Sequence, residues 1–286
     1  MKRIHIKYYL LVLFIGTLVT SCNSDDDATT TTITGYQQTV IPTAIQDLYQ
    51  AKGTATKDTV IVYAHGGPTP SLDTQDAEES QFQNYYRVYV KQAQHINQTI
   101  GSNEITFDQA IAEDNISTEM YYEVLKHFKD EGKVVIAMSH SFGSFILPNV
   151  LATKPNIADK VVIMAGRLDM PAIVWEGFRD GNLYGFPDGV TPTADGDGTV
   201  SGGELSATRL QAGLGKNRFT ELLATKDITN VIYVFGTRDE AVGSLTAAEE
   251  QFLTTKNATV LKIDNGDHSS MFQPDALDAI LGEIRQ

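Results

Sequence analysis

Five short runs of apolar, largely β-branched residues punctuate this chain of 286 residues, at 60–64, 134–138, 161–165, 231–235 and 260–263. Each is bounded by glycine, charged or polar residues. Runs this short and this continuous fit strands buried on both faces better than strands with one wet face. Residues 87–91 read either as a further strand or, with their aromatic neighbours, as part of a helix. Between the runs lie helical patterns. Ser117 is predicted to cap a helix carrying Met120, Val124, Leu125 and Phe128, spaced by one, three and four and ending near Gly132. Residues 276–284 repeat that pattern with Leu277, Ile280, Leu281 and Ile284. Strands alternating with helices predict an α/β architecture, a mostly parallel central sheet covered by helices on both faces. Sites in such sheets lie beyond the carboxyl ends of the strands.

Composition narrows the function classes. With 42% hydrophobic and 20% charged residues the chain is globular. Its formal charge of −14 argues against a nucleic-acid partner, which needs a basic face. A single cysteine excludes a disulfide framework and a cysteine-based zinc site, and six scattered histidines make no histidine-rich metal cluster.

The run at 134–138 leads into Ser139-His140-Ser141-Phe142-Gly143-Ser144 and then into apolar Phe145-Ile146-Leu147. A strand, a tight turn between small residues and a helix make a nucleophile elbow, which lifts the Ser141 hydroxyl above the sheet. Ser139 stands where glycine is usual. Asp239 follows the run at 231–235, and His268 lies in the loop after 260–263, within Asp264-Asn265-Gly266-Asp267-His268. The run at 60–64 leads into His65-Gly66-Gly67-Pro68. Taken in this order, the four segments resemble the α/β-hydrolase family over about residues 58 to 286. The resemblance implies the α/β-hydrolase fold with a cap insertion at about 171–229, and a triad of Ser141, Asp239 and His268.

The roles follow from chemistry. A serine hydroxyl needs a base to take its proton, and imidazole titrates near neutral pH. Asp239 would fix the tautomer of His268. The oxyanion needs backbone donors: Phe142 N–H, directly after the nucleophile, and Gly67 N–H, with Gly66 behind it, since Pro68 has none. His65 is read as a brace for that loop. Asp264 and Asp267 adjoin the histidine too closely to serve it easily as acids.

The predicted insertion shows no clear strand between Arg167 and Asn230. Its Trp175, Phe178, Tyr184 and Phe186 line a pocket or form a small core of their own. Its segment 193–205 is similar to the calcium loop of EF-hands and dockerins, with Asp195, Asp197, Thr199, Ser201 and Glu204 at donor positions and Gly198 at the turn. A structural calcium ion and a plain Asp/Gly-rich turn both remain open; catalysis requires no cofactor. The same segment also looks like the acid-bearing stretch of some lipase relatives, which makes Asp197 a rival to the preferred Asp239.

The first residues are an address. Lys2, Arg3 and Lys7 precede an apolar run at 8–19, too short to span a membrane, and the ending Leu18-Val19-Thr20-Ser21-Cys22 resembles a bacterial lipoprotein box. The resemblance implies a signal peptide at 1–21, lipidation of Cys22 and an outer-membrane location. Residues 22–35, acidic then threonine-rich, read as a solvated tether. Their Ser24-Asp25-Asp26-Asp27 looks like the surface-export signal of Bacteroidota lipoproteins, against the alternative of a merely polar linker. The leading expectation is a lipid-anchored serine hydrolase acting on a small-molecule or peptide ester or amide, with carboxylesterase or lipase chemistry marginally ahead. His65-Gly66-Gly67-Pro68 resembles the proline-specific aminopeptidases, but Thr69-Pro70 follows where that branch has glycine. A non-catalytic surface binding protein on the same fold is the alternative from another class.

Overall fold

The computed structural model describes residues 36–75 and 80–286. The signal at 1–21, Cys22 and the tether at 22–35 lie outside the described residues. Nine strands are present among those described: β1 (Tyr49–Lys52), β2 (Thr59–Ala64), β3 (Tyr86–Val90), β4 (Val134–His140), β5 (Lys160–Met164), β6 (Asn182–Gly185), β7 (Thr193–Thr199), β8 (Val231–Gly236) and β9 (Thr259–Ile263). Seven form one sheet in the order β1-β3-β2-β4-β5-β8-β9. All its pairs are parallel except β1 with β3.

The five predicted runs are five of these strands; burial on both faces explains the continuous apolar character of β2, β4, β5 and β8, while β9, at the sheet edge, is only partly buried. Along β2, Val60, Val62 and Ala64 join one core cluster while Ile61 and Tyr63 join the other. Val135 and Ala137 of β4 divide from Ile136 and Met138 in the same way. The first cluster packs against the helix Phe107–Asp130 through Met120, Val124 and Phe128; the second takes Leu277, Ile280 and Leu281 of the helix Pro274–Ile284. A fully buried aliphatic side chain of this kind contributes about 1.5–3 kcal/mol.

Three expectations change. Residues 87–91 resolve as a strand, β3. Ser117 is not a cap: the helix begins ten residues earlier, at Phe107 after Thr106, whose side chain accepts from Gln109 N while Gln109 reaches back in a capping box. Ser117 sits inside it, where its Oγ takes Ala93 N–H at 2.9 Å and donates to the Glu113 carbonyl at 3.1 Å. The early part of the buried stripe includes Glu113, Asp114, Ser117 and Thr118, so polarity hides the period there. Finally, the segment between Arg167 and Asn230 does contain strands. β6 and β7 pair antiparallel, Tyr184 against Ala194 and Gly185 against Thr193, between the helices Ala172–Arg179 and Gly202–Gly215. Among the described residues no helix is long and apolar enough to cross a membrane.

Candidate active site

The carboxyl end of β4 delivers Ser141 at a backbone φ of 53°, a left-handed conformation that strains any residue with a Cβ. The helix Gly143–Thr153 starts two residues later and brings Gly143 against the end of β2. A Cβ at Gly143 would stand 2.1 Å from the Ala64 carbonyl oxygen, so only glycine lets strand and helix meet here. At the other flank Ser139 is fully buried, and its hydroxyl lies 3.0 Å from Ser144 Oγ. Ser144 spends its own proton on the Met164 carbonyl at 2.7 Å, so Ser139 is the donor between them. That satisfied hydroxyl is why serine serves where glycine was expected.

Strands β8 and β9 deliver the partners. His268 Nε2 lies 2.9 Å from Ser141 Oγ, and its Nδ1 lies 2.9 Å from both Asp239 oxygens. A carboxylate facing Nδ1 places the proton on that nitrogen and leaves Nε2 to accept from the serine. Asp239 is buried, and its Oδ1 also accepts Ala241 N–H and Val242 N–H at 3.0 Å each. Burial alone pulls the His268 pKa down. The hydrogen bond and charge of Asp239, with the charges of Glu240 and Asp267, outweigh it, and the net shift is upward. Asp267 commits its carboxylate to Ser269 and Ser270, which removes it as a rival acid.

The loop after β2 passes over Ser141. A Cβ on Gly66 would come 2.9 Å from Ser141 Cβ, and Gly67 adopts a φ of 63°. Gly67, Ser141 and Phe142 face one cavity of about 580 Å³. His65 braces this loop from behind. It is fully buried and stacks on His95 with ring centroids 4.9 Å apart, while Gln92 Nε2 donates to its carbonyl at 3.0 Å. Burial pushes His65 down to about 4, and burial together with His65 pushes His95 down to about 3.

Of the four aromatic residues singled out in sequence, Phe178, Tyr184 and Phe186 line the cavity. Trp175 does not; it stacks on Phe107 at 6.4 Å. Phe145, Met170, Val174, Leu183 and Val242 complete much of the apolar wall without any sequence signal that marked them.

The segment read in sequence as a calcium loop spans a strand and the start of a helix. Residues 193–199, with Asp195, Asp197 and Thr199 among them, form strand β7, Ser201 precedes the helix Gly202–Gly215 and Glu204 lies in its first turn. Thr193 and Ala194 pair with Gly185 and Tyr184 of β6, and Thr199 pairs with Asn182, with a register shift between Asn182 and Tyr184. Among the described residues no group of three or more His, Cys, Asp or Glu is placed to hold a metal. Asp239 takes the position beside His268 for which Asp197 was the rival.

No protein-family model matches the sequence, and no curated protein matches it significantly. Solved structures do match. A metagenome-derived lipolytic enzyme from the LipS and LipT pair aligns at 13% identity over 82% of this chain and 97% of its own, with a TM-score of 0.54. MGS-M2, an α/β-hydrolase enzyme from a deep-sea metagenome library of the Medee basin, aligns at 16% identity over 83% and 94%, with a TM-score of 0.53. A lipase-esterase related protein from Clostridium acetobutylicum gives 16%, 83% and 97%, and 0.53.

The fold is that of the α/β hydrolases.

In this fold the elbow depends on the contact between Gly143 and Ala64. Gly143→Ala should therefore lower the melting temperature by several degrees or leave the protein insoluble, since main chain and not a flexible side chain would have to move. A variant as stable as the parent would show that the elbow tolerates what its geometry forbids.

Proposed function

We propose that the protein is a serine hydrolase that cleaves an ester or amide through an acyl-enzyme on Ser141. The observation that carries this reading is the unbroken line from Asp239 through His268 to Ser141, with 2.9 Å at each junction. His268 Nε2 takes the Ser141 proton as Oγ adds to the substrate carbonyl. The oxyanion is held by the N–H groups of Phe142 and Gly67, each such donor being worth about 3 kcal/mol of barrier. His268 then returns the proton to the leaving alcohol or amine as the carbon–heteroatom bond breaks. Water, deprotonated by the same imidazole, releases the acid and restores the serine.

An apolar acyl group is the preferred occupant of the cavity, because Phe145, Met170, Val174, Phe178 and Phe186 line it. That wall, and the lipolytic enzyme and lipase-esterase related protein among the structural relatives, support carboxylesterase or lipase chemistry ahead of peptidase chemistry. Residues 171–229 act in this reading as a cap, because several of them share the cavity with Ser141. A pure binding module has no need of a serine, a base and an acid hydrogen-bonded in sequence. The reading further places the protein at the outer membrane, anchored through acylated Cys22, with the tether carrying the hydrolase outward.

Ser141→Ala should lower hydrolysis of a small activated ester by about a thousandfold or more while the melting curve stays put. Asp239→Asn should cripple turnover comparably by favouring the wrong tautomer. In the parent, His268 must be neutral to act. Because its pKa is raised, kcat/KM should fall as pH drops through a midpoint above 6.5. A midpoint well below 6.5, or a Ser141→Ala variant within tenfold of the parent, contradicts the mechanism.

For the anchor, Cys22→Ser should give unlipidated protein that leaves the membrane fraction. Parent protein carrying no acyl chains by mass spectrometry would rule the anchor out.

A further inference from the structure

His268 is gripped by more than its triad partners. Its backbone N–H donates to Glu240 Oε2 at 3.1 Å, and its backbone carbonyl lies 3.1 Å from His140 Nε2. Glu240 directly follows the acid Asp239, and His140 directly precedes the nucleophile Ser141. The chain neighbour of each triad partner thus takes hold of one end of the residue between them. The geometry points to His140 and Glu240 as positioning residues that clamp the main chain of His268 and so keep its imidazole in line between Asp239 and Ser141.

Each half of the clamp is well placed. To bond a carbonyl, His140 must carry its proton on Nε2. Burial, and then the neighbouring His268, push its pKa down to about 3, so the ring stays neutral and keeps that tautomer. Its ring packs edge-on against Phe272 at 4.7 Å and lies 4.9 Å from the His268 ring. Glu240 holds the opposite side, and its own carbonyl accepts Phe186 N–H at 2.7 Å, so one residue ties the catalytic loop to the cavity wall. The loop itself is a turn at 264–269 with little regular structure. A shift of about 1 Å at a catalytic group costs roughly a hundredfold in rate, so a base on such a loop needs external anchors.

Glu240 also contributes charge. The groups facing His268 are Asp239, Glu240 and Asp267, which favour the imidazolium, and His140, which is neutral across the working range. Neutralising Glu240 should lower the His268 pKa and move the acid limb of the rate profile to lower pH.

The proposal rests on the hydrolase reading, and the test separates the two. In the full chain, His140→Phe keeps a ring against Phe272 but loses the donor; Glu240→Ala loses the acceptor; Glu240→Gln keeps an acceptor and loses the charge. The readouts are kcat and KM for a p-nitrophenyl ester across pH, active sites counted with a fluorophosphonate, and the downfield NMR proton on His268 Nδ1. His140→Phe and Glu240→Ala should each lower kcat per active site by about ten- to a hundredfold with KM within about threefold, and should broaden or erase that proton. Glu240→Gln should lose less activity and show the displaced acid limb. Parent kcat per labelled site with an unaltered NMR proton in both His140→Phe and Glu240→Ala overturns the clamp, including the case where all loss comes from fewer folded molecules. If the parent hydrolyses no ester and takes up no fluorophosphonate, the hydrolase reading falls, while the clamp stands or falls on whether these variants erase the proton.

Discussion

The candidate site hangs on one tight turn. At Ser141 the backbone leaves β4 in a left-handed conformation and enters a helix whose first residue touches the end of the neighbouring strand β2. The turn is stable only because its surroundings over-determine it. Gly143 has no side chain to strike Ala64, Ser139 donates to Ser144 while Ser144 donates to the Met164 carbonyl, and Ser141 N–H donates to the same carbonyl at 3.1 Å. The parallel sheet supplies the frame: β2, β4 and β5 end together, so the loops after them converge on the raised hydroxyl.

The second constraint is electrostatic. Asp239 is an almost fully buried carboxylate, and an unpaired buried charge is costly. Two backbone N–H groups and the His268 ring surround it, so the charge is kept and put to use. The imidazole is consequently more basic than burial alone would leave it. Both histidines behind Ser141, His65 and His140, go the other way and stay neutral: the His65 ring stacks on His95, and His140 Nε2 meets the His268 carbonyl.

Which parts were legible in the sequence follows from the range of the interactions that fix them. Four of the five apolar runs announced strands because central parallel strands are buried on both faces and leave a local signature; β9, at the edge, kept the run while only partly buried. The elbow and the acid and histidine after β8 and β9 were legible because small residues at a turn, and a polar residue past a buried strand, are also local. β1 was not: Tyr49-Gln50-Ala51-Lys52 is a polar edge strand that pairs on one side only. The strand at 193–199 was not legible either, because its pairing with β6, at Thr193, Ala194 and Thr199, leaves no local alternation in the sequence. His140 and Glu240 sit beside the two most legible residues in the chain. Nothing local shows that they reach His268, across 128 and 28 positions.

The central claim is that Asp239 and His268 make the hydroxyl of Ser141 a nucleophile. Reacting the protein with a fluorophosphonate and mapping the adduct by peptide mass spectrometry tests it most directly. The account predicts one adduct, on the peptide containing Ser141, with labelling slowed by orders of magnitude in His268→Ala. Folded protein that takes up no label, or carries it on another residue, would contradict it.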